Sequence, residues 1–351
     1  MAEVKARVTG AEMPGAEKVQ PGFALLEDAL RAWAERHSTV LNLAENPKWA
    51  VAFSGGADST ALLWAAQALW PGRVVALHVH HGIQAAADGF VTHAQSMCER
   101  WHIELRVAHL NARPAPGESP EDAARRARYA ALARMALDAQ ACCVLLGQHA
   151  HDQLETMLLA LSRGAGLPGL AAMPDTMVRH GVVFGRPFLA TPGTALREAL
   201  AGSSIPFVED PTNSDTRYTR NRIRSEVLPP LLAAFPNALS AFARTARHAA
   251  QGQSLLLELA REDLLGVGNP PEIKRLRALS RARQGNLLRY WLKTGWNATP
   301  SDKQLQEALH QLGACTTRGH RIRIKVAQGW LIRQGALLTY QPGTEGQSPP
   351  I

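Results

Sequence analysis

Cysteine is scarce in this chain, occurring only at Cys98, Cys142, Cys143 and Cys315 among 351 residues. No two of these stand in a C-x-x-C spacing, which excludes a disulfide framework, a structural zinc site or a cysteine-held cluster as the organising device. A reducing, cytoplasmic setting is therefore expected. Long apolar runs are also missing. No segment approaches the ~20 apolar residues of a membrane span, and Met1 to Gly22 lacks the apolar core of a signal peptide, so neither membrane nor secretion is expected. With 28 glycines and 22 prolines, the chain is neither collagen-like nor low in complexity, and its 46% hydrophobic residues suffice for buried cores. At ~100–200 residues per domain the length implies two or three domains.

Acidic residues are in deficit, but only in one part. The formal charge is +8, and residues 236–351 hold 16 Lys and Arg against 7 Asp and Glu, leaving 22 basic against 23 acidic residues before them. A near-neutral front and a basic rear fit a catalytic domain joined to one that meets a polyanion, because clustered cations displace the counterions condensed on phosphates. A solvated helical surface would carry the same charges, so charge alone leaves both readings open.

The chain alternates short apolar runs with helical spacing. Ala50–Phe53, Val74–Val79, Ile103–Val107 and Cys142–Leu146 read as strands covered on both faces. Ala57–Leu69, Ala86–Trp101 and Pro120–Ala139 read as helices between them, the last opened by Ser119-Pro120-Glu121-Asp122. This rhythm predicts an α/β, doubly wound parallel sheet with its ligand at the carboxyl ends of the strands. Beyond Gly164 come a hairpin near Met177–Pro187, a helix from Thr194 and a polar segment, Glu209–Thr216, before a helix from about Tyr218. The expected organisation is a loose start at 1–22, a nucleotide domain at 23–235, and a basic, mainly helical domain at 236–351. The last of these has helices at Ala238–Leu265, Arg281–Lys293 and Ser301–Leu312 and ends in a small hairpin built from Arg321–Lys325 and Trp330–Tyr340, with only the last ten residues expected to be disordered. Tyr290, Trp291 and Trp296 lie among Arg289 and Lys293 and could stack bases, although packing into their own domain core is the stronger reading.

The strongest chemical signal is Ser54-Gly55-Gly56-Ala57-Asp58-Ser59, which leaves a strand and opens a helix directly. Paired glycines let the backbone approach an anion, the helix start offers N–H groups and a positive dipole end, and the serines offer hydroxyls. It lacks the Lys-Ser/Thr of a Walker A loop and the G-x-G-x-x-G of a dinucleotide fold. A pyrophosphate cradle with Asp58 beside the phosphates is the reading.

The S-G-G-x-D-S run resembles the signature of the PP-loop, or N-type, ATP pyrophosphatases. Further segments resemble the tRNA(Ile)-lysidine synthetases within that superfamily, over roughly Val51 to Pro230. They are Leu77-His-Val-His-His-Gly82, Ala124-Arg-Arg-Ala-Arg-Tyr129, His149-Ala-His-Asp-Gln-Leu-Glu-Thr156, Leu161-Ser-Arg-Gly-Ala-Gly166, and Asp210-Pro-Thr-Asn213 with Tyr218-Thr-Arg-Asn-Arg-Ile-Arg224. His151 departs from the pattern, standing where the family has the first of two adjacent aspartates. The resemblance implies ATP with Mg²⁺ as cofactors, and a tRNA(Ile) with a CAU anticodon and free L-lysine as substrates. The implied reaction adenylates the wobble cytidine at its C2 oxygen and displaces AMP with the lysine amine.

On that reading Asp58, Asp152, Glu155 and Arg220 are the catalytic candidates. Asp152 and Glu155, three residues apart on one helix face, suit a Mg²⁺ bridging ATP phosphates, though two solvated acids would share that spacing. One of the two could instead accept the lysine proton. His81 is expected in the wall beside the nucleotide, His78 as structural, and a three-histidine metal site with His80 is poor geometry on a strand. Arg125 and Arg128, with Arg126, and likewise Arg163, Arg222 and Arg224, are candidates for tRNA or substrate contacts. Some relatives carry a further C-terminal domain; if it is missing here, part of the acceptor-stem recognition is expected to be weaker or supplied differently. The nearest alternative is another PP-loop tRNA enzyme, a cytidine thiolase, which the missing C-x-x-C disfavours. The oligomeric state stays open, a homodimer included.

Overall fold

The structure is a computed structural model that describes residues 21–80, 87–110, 120–210, 215–316 and 319–343. The expected loose start, His81 and Gly82, the Ser119 cap, most of the Asp210–Asn213 motif and the tail from residue 344 lie outside these. The chain divides into two compact units, Met1–Arg247 and His248–Ile351.

The first unit runs α1 (Pro21–Arg36), α2 (Ser38–Leu41), β1 (Lys48–Ala52), α3 (Ala57–Leu69), β2 (Val74–His80), α4 (Ala87–Arg100), β3 (Glu104–His109), α5 (Pro120–Asp138) and β4 (Ala141–Leu145). It continues through α6 (Ala150–Ser162), α7 (Leu167–Leu170), β5 (Thr176–Arg179), β6 (Val182–Gly185), α8 (Gly193–Gly202), α9 (Thr219–Arg222), a π-helical turn (Ile223–Val227) and α10 (Leu228–Ala234). The sheet order is β3-β2-β1-β4-β6-β5, parallel from β3 to β6 and antiparallel only at the β5 edge. Each central strand is apolar on both sides because each side is covered. Val51 and Phe53 join Trp33, Leu62, Cys98 and Leu200 in one core, while Ala50, Val75 and Leu77 join Leu132, Ala136 and Phe184 in another. The predicted hairpin turns through His180 and Gly181, both at positive φ, a two-residue turn whose twist suits antiparallel strands. Its second strand pairs with β4, so the hairpin extends the main sheet rather than standing apart. No helix among the described residues is long and apolar enough to cross a membrane.

The topology fixes where a ligand can go. After β1 the chain builds outward to β2 and β3, then returns to lay β4 on the other side of β1. The β1–β4 border is thus the topological switch point, where the loops after the two strands diverge and open a crevice at their carboxyl ends.

The second unit contains most of α11 (Ala238–Val267), then α12 (Ile273–Ala278), α13 (Arg281–Trp296) and α14 (Asp302–Ala314). The expected terminal hairpin carries a third strand. β7 (Arg323–Val326), β8 (Gly329–Gln334) and β9 (Leu337–Gln341) form an antiparallel meander, because Gly335 at φ +63° breaks the Trp330–Tyr340 run into two strands. Trp291 lies in this unit's core and donates its indole N–H to Asn269 Oδ1 at 2.9 Å, which settles its role as packing rather than base stacking.

Gly185 ends β6 directly under the indole of Trp33, and a Cβ there would come within 2.1 Å of the ring. Trp33 is buried and cannot swing away. Gly185→Ala is therefore expected to cost at least about 1–3 kcal/mol through overpacking, read as a lower urea midpoint; an unchanged midpoint would mean that α1 is loosely docked.

Candidate active site

The Ser54–Ser59 loop is shaped by its own side chains. Ser59 Oγ donates to Gly56 O at 3.0 Å, accepts from the Ser54 amide at 3.2 Å and lies 3.0 Å from Ser54 Oγ, so Ser59 braces the loop from inside. Gly55 takes φ +86°, which only glycine adopts without strain, and the His93 ring from α4 stands beside it. Behind it, the Val208 amide donates to Gly55 O at 2.9 Å. Gly56 is the N-cap of α3 and supplies no side-chain cap. The first helical N–H groups are therefore left for an anion, as the sequence led one to expect of a phosphate cradle.

In the partner loop, after β4, the sequence pointed to His149 through its motif but not to Gly147. Gly147 packs so closely on the start of α3 that a Cβ there would lie 2.9 Å from Asp58 O and 3.2 Å from the Ser59 amide. This contact brings His149 to Asp58 across the switch point. His149 is buried, with Nε2 3.5 Å from Asp58 Oδ1 and Nδ1 3.6 Å from Asp152 Oδ2, and its own amide donates to Asp152 Oδ2 at 3.1 Å. Burial alone would disfavour the charged ring, but the Asp58 hydrogen bond and the charges of Asp152 and Asp58 outweigh it and hold its pKa above the ordinary value.

From Asp152 the chain of charges continues to Arg224. Its Nη2 lies 3.2 Å from Asp152 Oδ1 and 3.1 Å from Glu155 Oε2, and its Nε 2.7 Å from Glu155 Oε1. Hydrophobic packing sets this meeting, since Ile223 of the π-helical turn and Leu228 of α10 join Leu154 and Leu159 of α6 in one cluster. The widened turn then points Arg224 at the acidic face of α6. Burial pushes the Glu155 carboxyl up while Arg224 opposes it. Glu155, expected to share a metal with Asp152, has both oxygens engaged by one guanidinium and a side chain only 1% exposed, so a cation would have to displace Arg224 to reach it. Arg224, expected at a substrate, is correspondingly a bridge between two carboxylates. Among the described residues no group of three or more His, Cys, Asp or Glu side chains is arranged to hold a metal.

The remaining candidates fall at the margins. Arg220 and Arg222 are exposed on α9, with Arg220 contributing to the field at Glu155, and Arg163 is exposed at the end of α6. Arg125 and Arg128 are exposed on α5, Arg125 lying 5.9 Å over the Tyr129 ring. His81 lies outside the described residues. His78 is buried with Nδ1 2.9 Å from Phe53 O, a structural histidine whose pKa burial lowers. His151 Nδ1 accepts the Gly193 N–H at 3.0 Å, at the start of a helix whose N-cap, Pro192, supplies no side-chain cap. The sequence reading also missed Arg186. This buried arginine donates to Gln148 Oε1 at 3.0 Å and Pro174 O at 2.7 Å, fixing the residue before His149. Its only sequence signal was a charged residue at the end of an apolar strand.

The family models that match are the PP-loop domain over residues 30–231 and the TilS substrate binding domain over residues 272–338. The chain is 60% identical over 290 residues to a tRNA(Ile)-lysidine synthase of Polaromonas naphthalenivorans, covering 83% of this chain and 88% of that one. It is 43% identical to a tRNA(Ile)-lysidine synthase of Pseudomonas putida, covering 70% of this chain and 60% of the relative. Among solved structures the U34-tRNA thiolase NcsA from Methanococcus maripaludis, described with its [4Fe-4S] cluster, superposes with a TM-score of 0.54 at 16% identity, over 65% of this chain and 79% of that one, a likeness of fold.

Two measurements test the charge chain. Arg224→Ala leaves the Glu155 carboxylate buried without its cation and is expected to cost about 2 kcal/mol, less than for a fully buried pair because the guanidinium is half exposed. Adding Glu155→Gln should recover at least about half of that loss, whereas additive denaturation energies would show the two side chains to be uncoupled. His149, with its pKa raised on folding, contributes stability in full below its unfolded pKa of ~6.5 and loses it as pH climbs through the folded value. The stability gap between the wild-type chain and His149→Gln should accordingly narrow with rising pH; a gap that is flat or widens would remove the imidazolium from the account.

Proposed function

The chain belongs to the tRNA(Ile)-lysidine synthase family of PP-loop proteins, and from that premise we propose that it uses ATP to join L-lysine to C2 of the wobble cytidine of a tRNA(Ile) with a CAU anticodon. The observation that carries this reading is the junction of two loops at the switch point, where the uncapped start of α3 brings Asp58 against His149, which in turn meets Asp152. In the first step the cytidine O2 attacks the α-phosphorus of ATP. The new P–O bond forms as the bond to pyrophosphate breaks, and the N–H groups at the start of α3 together with Arg220 offset the charge on the leaving group. In the second step the lysine ε-amine adds to C2 and the C2–O bond breaks, releasing AMP.

The amine must first lose a proton, its reference pKa being ~10.4. Asp152, beside His149 and only partly covered by Arg224, orients the amine and accepts that proton. Mg²⁺ that accompanies ATP would be held by the hard carboxylate of Asp58, which leaves Asp152, across His149, to the amine, and when bound would supply charge neutralisation at the phosphates. His149 is a positioning residue, holding these two carboxylates at a fixed separation. Exposed Arg125, Arg128, Arg163 and Arg222 are offered to substrate phosphates, and the basic region from Pro236 onward to the tRNA. The thiolase reading has less support. Cys98 is buried with its thiol pushed up to about 12, and Cys143 is fully buried with its thiol likewise held up by burial. Cys142, whose thiol pKa the neighbouring Cys143 lowers, lies near the amino end of β4 and not at the carboxyl end, where the site opens.

Pyrophosphate release from ATP by the purified protein should require both the CAU-anticodon transcript and Mg²⁺, and radiolabelled lysine should enter the RNA. Asp58→Ala is expected to lower that release by at least about 10²-fold, since it removes the carboxylate nearest the phosphates. Unchanged turnover would take Asp58 out of the mechanism, and release without lysine incorporation would mean that the nucleophile is a different one.

A further inference from the structure

The small sheet of the second unit has one buried face and one exposed face, and the exposed face is basic. Along the strand that includes β7, Ile322, Ile324 and Val326 point into the core while Arg321, Arg323 and Lys325 are exposed. Successive basic residues on this face lie about 7 Å apart, two residues along an extended strand. The register sets Lys325 opposite Trp330 and Arg323 opposite Ile332, and the Arg323 guanidinium lies 4.5 Å over the Trp330 ring. No carboxylate among the described residues pairs with any of these three cations. Elsewhere in the unit many basic side chains are already engaged. Arg283 is bonded to Asp263, Arg275 to Glu272 and Arg289 to Asp302, while Arg277 reaches Cys315 O and Lys293 reaches Asn297 Oδ1. Three cations of this unit that no carboxylate balances thus stand in a row on one sheet face.

We propose that this face, with Arg321, Arg323 and Lys325 in a row and Arg323 stacked on Trp330, docks the phosphodiester backbone of the tRNA substrate. The proposal rests on the tRNA reading given above and assigns a surface to it. Three cations in line with no internal counterions match a repeating anion, and each phosphate they neutralise releases condensed counterions. Stacking on the indole holds the guanidinium plane in place before binding, so less side-chain freedom is lost when its paired N–H groups meet a phosphate. The stacked guanidinium also covers the ring that a base would need, which favours backbone contact over base stacking.

The test compares the full-length wild-type chain with an Arg321→Ala/Arg323→Ala/Lys325→Ala variant by filter binding of the CAU-anticodon transcript across a salt series. Losing three phosphate contacts should flatten the slope of log affinity against log salt by about 2–3 and weaken binding at least about tenfold near 0.1 M salt. In pyrophosphate release the loss should fall on the KM for tRNA more than on kcat. Urea midpoints of the two proteins should nearly coincide, since all three side chains are exposed. Arg323→Lys keeps the charge but loses the stacked plane, so its slope should match wild type while its affinity falls about threefold. If the wild-type chain binds and turns over the transcript while the triple variant keeps the same affinity and slope, the docking face is overturned and the functional reading stands. If the wild-type chain does not bind the transcript, both fall together.

Discussion

The contact between Gly147 and the first turn of α3 is the constraint on which the rest of the site depends. Two loops that leave adjacent parallel strands normally diverge, and a side chain at 147 would hold them further apart than the 2.9 Å a Cβ would have to tolerate. Without that approach His149 would not reach Asp58, and the phosphate cradle and the acidic face of α6 would be two separate features. Arg186 supports the same loop from behind, through Gln148 and the Pro174 carbonyl. Backbone proximity comes first, and the electrostatics are built upon it.

Those electrostatics run as an alternation of charges, Asp58, His149, Asp152, Arg224 and Glu155, in which each inner member touches two opposite partners. Alternation decides the outcome of burial. A buried carboxylate such as Glu155 or a buried imidazolium such as His149 would each shed its charge in isolation, because desolvation exceeds what one distant partner returns. Two close partners reverse that balance for His149, and for Glu155 the guanidinium limits the rise that burial imposes. The arrangement costs stability relative to an apolar packing of the same volume and yields carboxylates of defined position, which bond-forming chemistry needs. His151 shows the tolerance of such a network at its edge. The Gly193 N–H requires an acceptor, and an imidazole nitrogen supplies one where the family pattern has a carboxylate.

Local signals made the fold legible. Every strand from β1 to β4 and the helices α3, α4 and α5 followed from apolar runs and 3.6-residue spacing, because those segments bury whichever face the period presents. The Ser54–Ser59 loop was legible for the same reason, its chemistry being contained in six consecutive residues. What stayed hidden were relations between distant segments. Arg224 looked like a substrate arginine because its sequence neighbourhood is basic, and only the packing of Ile223 and Leu228 on α6 turns it toward Glu155. Gly147 and Arg186 gave no local pattern, since a close approach and a buried hydrogen-bond hub are defined by what comes from elsewhere in the chain. The terminal meander was read as a hairpin because a two-residue turn within an apolar run hardly interrupts its periodicity.

Charge is where sequence and structure complement each other most. The front of the chain is near neutral although its site is offered a triphosphate and a nucleic acid, and the alternating network explains how. Arg224 is matched against Asp152 and Glu155, so the cations of the site are largely balanced by its own acids and contribute little long-range attraction for RNA. Affinity for a polyanion must then come from cations that have no internal partner, since only those release counterions on binding. The basic excess that the sequence confines to its last third meets that requirement once the arginines paired with carboxylates are set aside, and the row from Arg321 to Lys325 is part of what is left. A site that keeps its charges balanced can hold reacting groups in register, and a separate surface with unbalanced charge can do the binding, so neither task constrains the residues of the other.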